Sequence, residues 1–160
     1  SFTGLAKVPA TQLLVQEPTA LSMIDSEKVA VTRVAPGEAS ALAGGQWPDM
    51  LPKVVQARIV QSFEAAAYMR VLARVPEGTR SDFKLVIDIR SFQILARPAP
   101  TAQIELAARI VNADGGLVEA RVFRASSALA SLEPDAAVKG LDEVFGRLVS
   151  ELVVWTCGLI

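Results

Sequence analysis

The sequence predicts an α+β two-layer sandwich, a mostly antiparallel sheet with two long helices on one face. Three observations lead there. Apolar and polar residues alternate over residues 83–89 and again over 104–110, the two-residue period of half-buried strands. Apolar residues recur at steps of three and four over residues 51–66 and 138–155, the period of helices with one buried face. Between two strand-like runs lies Asn112-Ala113-Asp114-Gly115-Gly116, whose residues tolerate positive φ and suit a hairpin turn.

The elements follow in order. Residues 12–16 read as a short strand stopped by Pro18, and residues 28–34 as a second, with Val29 and Val31 on one face. Pro36-Gly37 is a turn, residues 39–43 a weak third strand, and Gly44-Gly45 its end. Asp49 suits the N-cap of the first helix and Pro52 its first turn, where a missing N–H is harmless. Leu51, Val55, Ile59, Ser62, Phe63 and Ala66 share one helical face; Lys53, Gln56 and Glu64 lie away from it, and the helix should end near Met69. Residues 71–75 form a short strand before a turn at Pro76-Glu77-Gly78.

Phe83, Leu85, Ile87 and Ile89 then alternate with Lys84, Asp88 and Arg90, and the phase slips at Ser91 to Phe92 and Ile94. A one-residue slip predicts a β-bulge, because every later side chain changes face. Residues 97–100 are a stiff Arg-Pro-Ala-Pro connection, followed by the two strands of the hairpin. Pro134-Asp135 opens the last helix, where Val138, Leu141, Phe145, Leu148, Leu152 and Trp155 form a stripe and Glu143 precedes Arg147 at the favourable i,i+4 spacing.

Composition excludes much chemistry. The 160 residues contain no histidine and one cysteine, Cys157. No Ser-His-Asp triad or Cys-His pair can form, and zinc, copper and iron sites lack their usual ligands. The expected catalytic, cofactor-binding and metal-ligating residues are therefore none. A lone cysteine forms no internal disulfide and suits cytoplasm and periplasm alike; after an apolar helical stripe it reads as a buried thiol. Net charge is −1, with Arg and Lys spread along the chain, which argues against nucleic acid as a partner. No apolar run approaches a membrane span, and no signal peptide is present. Asp88 and Glu105 fall on the polar faces of adjacent strands and could meet as a carboxylate pair, but Asp88 could equally face Arg109, and a cross-strand ion pair is the expectation. Neither glycine pair belongs to a phosphate-binding loop, and Ser126-Ser127 has no nucleophile elbow.

The segment from Gly44 to Pro52 places Trp47, Pro48 and Met50 between a loop and a helix start. Trp47 either packs on the first helical turn as a staple or stands exposed as an anchor for a partner. These three are the candidate partner-binding residues.

The order of the pieces carries a resemblance. The strand Lys28-Val29-Ala30-Val31-Thr32-Arg33 is followed by Trp47-x-x-x-Leu51-Pro52 opening a helix. Ser81-Asp82-Phe83-Lys84-Leu85, the turn Val111-Asn112-Ala113-Asp114-Gly115-Gly116-Leu117-Val118 and Arg121-Val122-Phe123-Arg124 come next, and a final helix runs to Val153-Val154-Trp155. From Gln12 to Trp155 the chain resembles the ABC-type transport auxiliary lipoprotein family, which includes the paraquat-inducible protein C group. The resemblance implies a fold like the N-terminal domain of the TolB translocation protein. It further implies a non-enzymatic periplasmic subunit without cofactors, anchored to the outer membrane through an acylated N-terminal cysteine. The implied partners are a mammalian-cell-entry (MCE) domain protein and an ABC permease and ATPase that move lipids or hydrophobic compounds between membranes. The lipid-bearing cysteine is absent from this chain, since Cys157 lies at the wrong end. The expected organisation is a tether remnant at residues 1–11, one domain at 12–157 and a tail at 158–160; the oligomeric state is not specified. The alternative is a free-standing envelope protein that binds a lipid or other apolar ligand.

Overall fold

The computed structural model describes residues 11–21, 25–32, 39–66, 70–73 and 80–160. The expected turns at Pro36-Gly37 and Pro76-Glu77-Gly78, the helix end at Met69 and nearly all of the tether remnant lie outside them. The elements run β1 (Gln12–Val15), β2 (Thr19–Ala20), β3 (Lys28–Thr32), β4 (Ala39–Gln46), α1 (Leu51–Ala66), β5 (Arg70–Leu72), β6 (Phe83–Leu95), β7 (Thr101–Asn112), β8 (Leu117–Ala128) and α2 (Pro134–Cys157). Both helices pack on the same face of the sheet and against each other, as the two periodicities require.

The 13-residue β6 is the spine of the sheet. Along one edge it pairs with β7 over its whole length, antiparallel, and β7 pairs with β8 in the same sense. The other edge is shared by three short strands in succession, all parallel to β6: β1 at Phe83–Leu85, β2 at Asp88–Ile89 and β3 at Gln93–Leu95. Outside these, β5 joins β1 and β4 joins β3. The long ladders are antiparallel, as expected; the parallel set is the part that periodicity did not indicate.

The expected bulge is present. Ile89 faces Leu106 and Ser91 faces Glu105, so Arg90 is the extra residue, and Phe92 and Ile94 return to the buried face. The hairpin turn is closed by Asn112, whose Oδ1 accepts from the N–H groups of Asp114 and Gly116 at 3.0 and 2.9 Å. Gly115 sits there at φ +86°, a conformation other residues adopt at a cost.

Two expectations are corrected. β4 does not end at Gly44-Gly45 but continues to Gln46. Gly45 is buried, and a Cβ there would lie 3.0 Å from Leu42 and 3.1 Å from Val29, so the glycine admits close packing inside a strand. Asp49 acts one position earlier than expected: its Oδ1 accepts from the Met50 N–H at 2.7 Å, and the Met50 carbonyl takes the first helical bonds.

The helices bury more than one stripe. On α2, Val144, Val149, Val153 and Thr156 are buried beside Leu141, Phe145, Leu148 and Leu152. A helix of 24 residues spans about 36 Å, enough to lie across β6, β7 and β8. The Thr156 hydroxyl stays satisfied by donating to the Leu152 carbonyl at 2.8 Å. On α1, Val55, Ile59 and Phe63 face the core. Gln56 lies off the buried face of α1, as expected, but is not free in solvent. Its side-chain amide donates to the carbonyls of Val15 and Ala73, at 2.9 and 3.1 Å, and ties the helix to the ends of two strands.

Candidate functional site

The chain turns sharply between β4 and α1, and backbone hydrogen bonds hold that turn in place. The Trp47 N–H donates to the Glu27 carbonyl at 2.6 Å and the Leu51 N–H to the Ser26 carbonyl at 2.9 Å. The start of α1 is thereby pinned to the approach to β3. Trp47 is driven inward: only 8% of it is exposed. Its ring meets Phe92 edge-to-face at 5.5 Å and 89°, and Phe92 meets Phe145 at 5.4 Å and 65°. This aromatic row links the turn, the sheet and α2. Trp47 is thus a packed side chain rather than a protruding anchor, while Pro48 and Met50 beside it are exposed.

A groove of about 560 Å³ opens over this row, between the first turns of α1 and α2. Trp47, Leu51, Phe92, Val138 and Phe145 supply apolar walls. Arg58, Lys139, Asp135 and Asp142 stand around them, two cations and two anions. Arg58 and Asp142 form an ion pair from α1 to α2, and the Arg58 guanidinium lies 5.1 Å from the centre of the Phe145 ring. The Trp47 indole N–H, buried in this apolar setting, finds no acceptor among the described residues. A buried donor left unpaired costs about 1–3 kcal/mol.

The other sequence candidates do not assemble into a reactive site. Asp88 faces Ala107 rather than Glu105 or Arg109. It accepts from the Thr19 hydroxyl at 3.0 Å and lies 4.0 Å from Arg90. The expected Asp88–Arg109 pair does not form; Glu105 pairs instead with Arg124 on the next strand, a cross-strand ion pair with neither of those partners. Cys157 is buried, and loss of hydration pushes its thiol up to about 11, so it stays protonated and unreactive near neutral pH. Among the described residues no three His, Cys, Asp or Glu converge as ligands, and no helix is long and apolar enough to cross a membrane.

The comparisons with known proteins agree with this architecture. The family model for an ABC-type transport auxiliary lipoprotein component matches residues 3–153. The uncharacterized protein bll6063 of Bradyrhizobium diazoefficiens is 36% identical over 151 residues, which is 94% of this chain and 41% of that protein. The chain therefore spans well under half the length of that curated relative. The crystal structure of XCC0632 from Xanthomonas campestris, from family DUF330, is 30% identical with a TM-score of 0.88, covering 97% of this chain and 87% of that one. The hypothetical protein CT253 from Chlamydia trachomatis shares the fold at 11% identity and a TM-score of 0.66, covering 94% of this chain and 98% of that one.

Proposed function

We infer the function from one premise: the chain belongs to the ABC-type transport auxiliary lipoprotein family. It is a non-enzymatic accessory subunit of an MCE-type ABC system that moves lipids or other hydrophobic compounds between membranes. The domain works in the periplasm, held at the outer membrane by a lipidated N-terminal cysteine outside these residues. Its partners are an MCE-domain protein and the ABC permease and ATPase. Residues 12–157 form the single domain that makes these contacts. The family match over residues 3–153 carries the reading.

The surface supports a recognition role. Pro48 and Met50 are exposed at a corner whose backbone is fixed from both sides, so little conformational freedom remains to be lost on docking. With Trp47 behind them, they are the proposed contact residues. The test is mild crosslinking in native membranes, affinity purification of the full-length protein and identification of what is bound. Recovery of an MCE-domain protein with the permease and ATPase is the expected result. Recovery of the protein alone, without lipid modification, would remove the reading.

A second reading, a free-standing envelope protein that binds a lipid or apolar ligand, is favoured by the groove over the aromatic row. Recovery of the protein without transporter subunits but with a stoichiometric lipid in native mass spectrometry would select it.

A further inference from the structure

We propose that the free edge of β8 from Val122 to Ala128 takes an extended segment of a partner chain as one more antiparallel strand, with carboxylates of that segment meeting Arg121 and Arg124. The inference goes beyond the transporter reading and does not depend on it.

The strand β8 runs over 12 residues and, among the described residues, pairs only with β7. In an antiparallel ladder each residue points both backbone groups to one side, and the side alternates along the strand. The Leu129 N–H donates to the Pro100 carbonyl at 2.9 Å, which sets the phase. Phe123, Ala125 and Ser127 therefore bond to β7, while Val122, Arg124, Ser126 and Ala128 aim their N–H and C=O groups outward. All four outward residues are exposed. Ala120 belongs to the same outward row, and its N–H is already taken by the Glu119 carboxylate at 3.2 Å. With the register shift beside Leu117, this closes the first half of the edge in the way natural sheets protect theirs. The second half has no such device: residues 125–128 are Ala-Ser-Ser-Ala, without charge, proline or bulge. The other outer strands offer less, since β5 has 3 residues and the ladder of β4 is interrupted.

A row of unpaired N–H and C=O groups at strand spacing is matched by the backbone of another extended chain, and this fixes the class of occupant. Charge narrows it. Arg121 lies against the Phe123 ring and has no carboxylate partner among the described residues. The Arg124 side chain is paired with Glu105 and is still 71% exposed. Opposite charges facing each other across strands strengthen pairing, and like charges weaken it. A second copy of β8 would bring the same two arginines, and its single carboxylate, Glu119, is engaged by Ala120. A partner segment with two acidic residues spaced like Arg121 and Arg124 answers both cations.

The test uses the whole chain with ¹⁵N label and reads amide exchange with water by NMR. The probe is the synthetic peptide Ac-TTTVETVET-NH2, whose glutamates fall opposite Arg124 and Arg121 when its first residue faces Ala128. One control carries lysine at both glutamates. Two others are N-methylated, each on a different alternate set of amides. Before peptide is added, the amides of Val122, Arg124, Ser126 and Ala128 should exchange faster than those of Phe123, Ala125 and Ser127. At about 5 mM peptide the outward amides should slow roughly fivefold, and the lysine form should bind roughly tenfold more weakly. One methylated form should lose binding and the other keep it, because only one edge of the peptide pairs. Ser126→Pro removes an outward N–H where an edge strand tolerates proline, and should abolish the slowing at the other three. If that chain loses its dispersed spectrum, Arg121→Glu replaces it and should erase the preference for glutamate over lysine. Outward amides already slow before the peptide is added, covered by the chain itself or by a second copy, overturn the proposal. So do unchanged exchange at about 5 mM peptide, equal binding of the lysine form, equal binding of the two methylated forms, or unaltered behaviour of the substituted chain.

Discussion

Replacing Phe92 by alanine removes the middle member of the Trp47–Phe92–Phe145 row. Phe92 is 3% exposed and touches both rings edge-to-face, at 5.5 and 5.4 Å. Truncating a buried phenylalanine costs about 3–5 kcal/mol, because the lost transfer energy is joined by a cavity that the surroundings only partly fill. Phe92 lies on β6 beside its bulge and is held by a full antiparallel ladder, so collapse around the gap is limited and about 4 kcal/mol is expected. For a chain of 160 residues that lowers Tm by roughly 8–16 °C, and it consumes a large part of a stability of about 5–15 kcal/mol. Phe92→Leu keeps most of the volume and loses the ring edges, for about 1–2 kcal/mol. Val122→Ala, on the open face, should stay within about 0.5 kcal/mol. Urea unfolding followed by far-UV circular dichroism gives these values, with an unchanged m value showing that the denatured state is the same. A loss below about 1 kcal/mol for Phe92→Ala at constant m would refute the packed aromatic row.

The glycines of α2 should separate in the same assay. A Cβ on Gly146 meets nothing within 4 Å, so Gly146→Ala should stabilise by about 0.5–1 kcal/mol through helix propensity; Gly140→Ala should gain less, because its Cβ would strike the Leu129 side chain at 2.1 Å. The buried Cys157 thiol sets an alkaline limit. Its folded value is raised to about 11 from 9.0, so the unfolded chain loses its proton first, and stability falls as pH rises from about 9 to about 11. Cys157→Ala should flatten that part of the pH profile by about 2–3 kcal/mol relative to the parent. Comparable slopes in both chains would contradict the desolvated thiol.

The parts of the fold legible in the sequence were those encoded locally. The alternation through Phe83 to Ile89 and its slip at Ser91 placed both the long strand and its bulge, because a change of phase in a strand is a change of face. Asn112 and Gly115 marked the hairpin for a similar reason, since few residues close such a turn. What periodicity cannot carry is the choice of partner. β1, β2 and β3 read as strands or loops of their own, yet all three dock in succession on one edge of β6. Gly44-Gly45 reads as a break because glycine weakens strands; the ladder with β3 does lose register over residues 42–45, but the strand pairs again at Gln46, and Gly45 lets Leu42 and Val29 close in. Gln56 lies off the buried face as its spacing indicates, but its bonds were not legible because its acceptors are strand-end carbonyls far away in sequence.

The candidate site was half legible. Trp47 stood out by type and position, and the staple alternative matches its burial. Nothing local announced that Phe92 and Phe145 would meet it, or that Arg58 and Asp142 would join α1 to α2 beside the groove. Those contacts arise from the crossing of α2 over the sheet.

The role as a transporter subunit is tested most directly by position-specific photocrosslinking in cells that carry the full-length protein. A photoreactive residue is placed at Met50, beside the groove, and separately at the exposed Leu117, where β8 leaves the hairpin. An adduct from position 50 to an MCE-domain protein or to the permease, with none from position 117, is the predicted result. Absence of any ABC-system adduct from both positions would contradict the account.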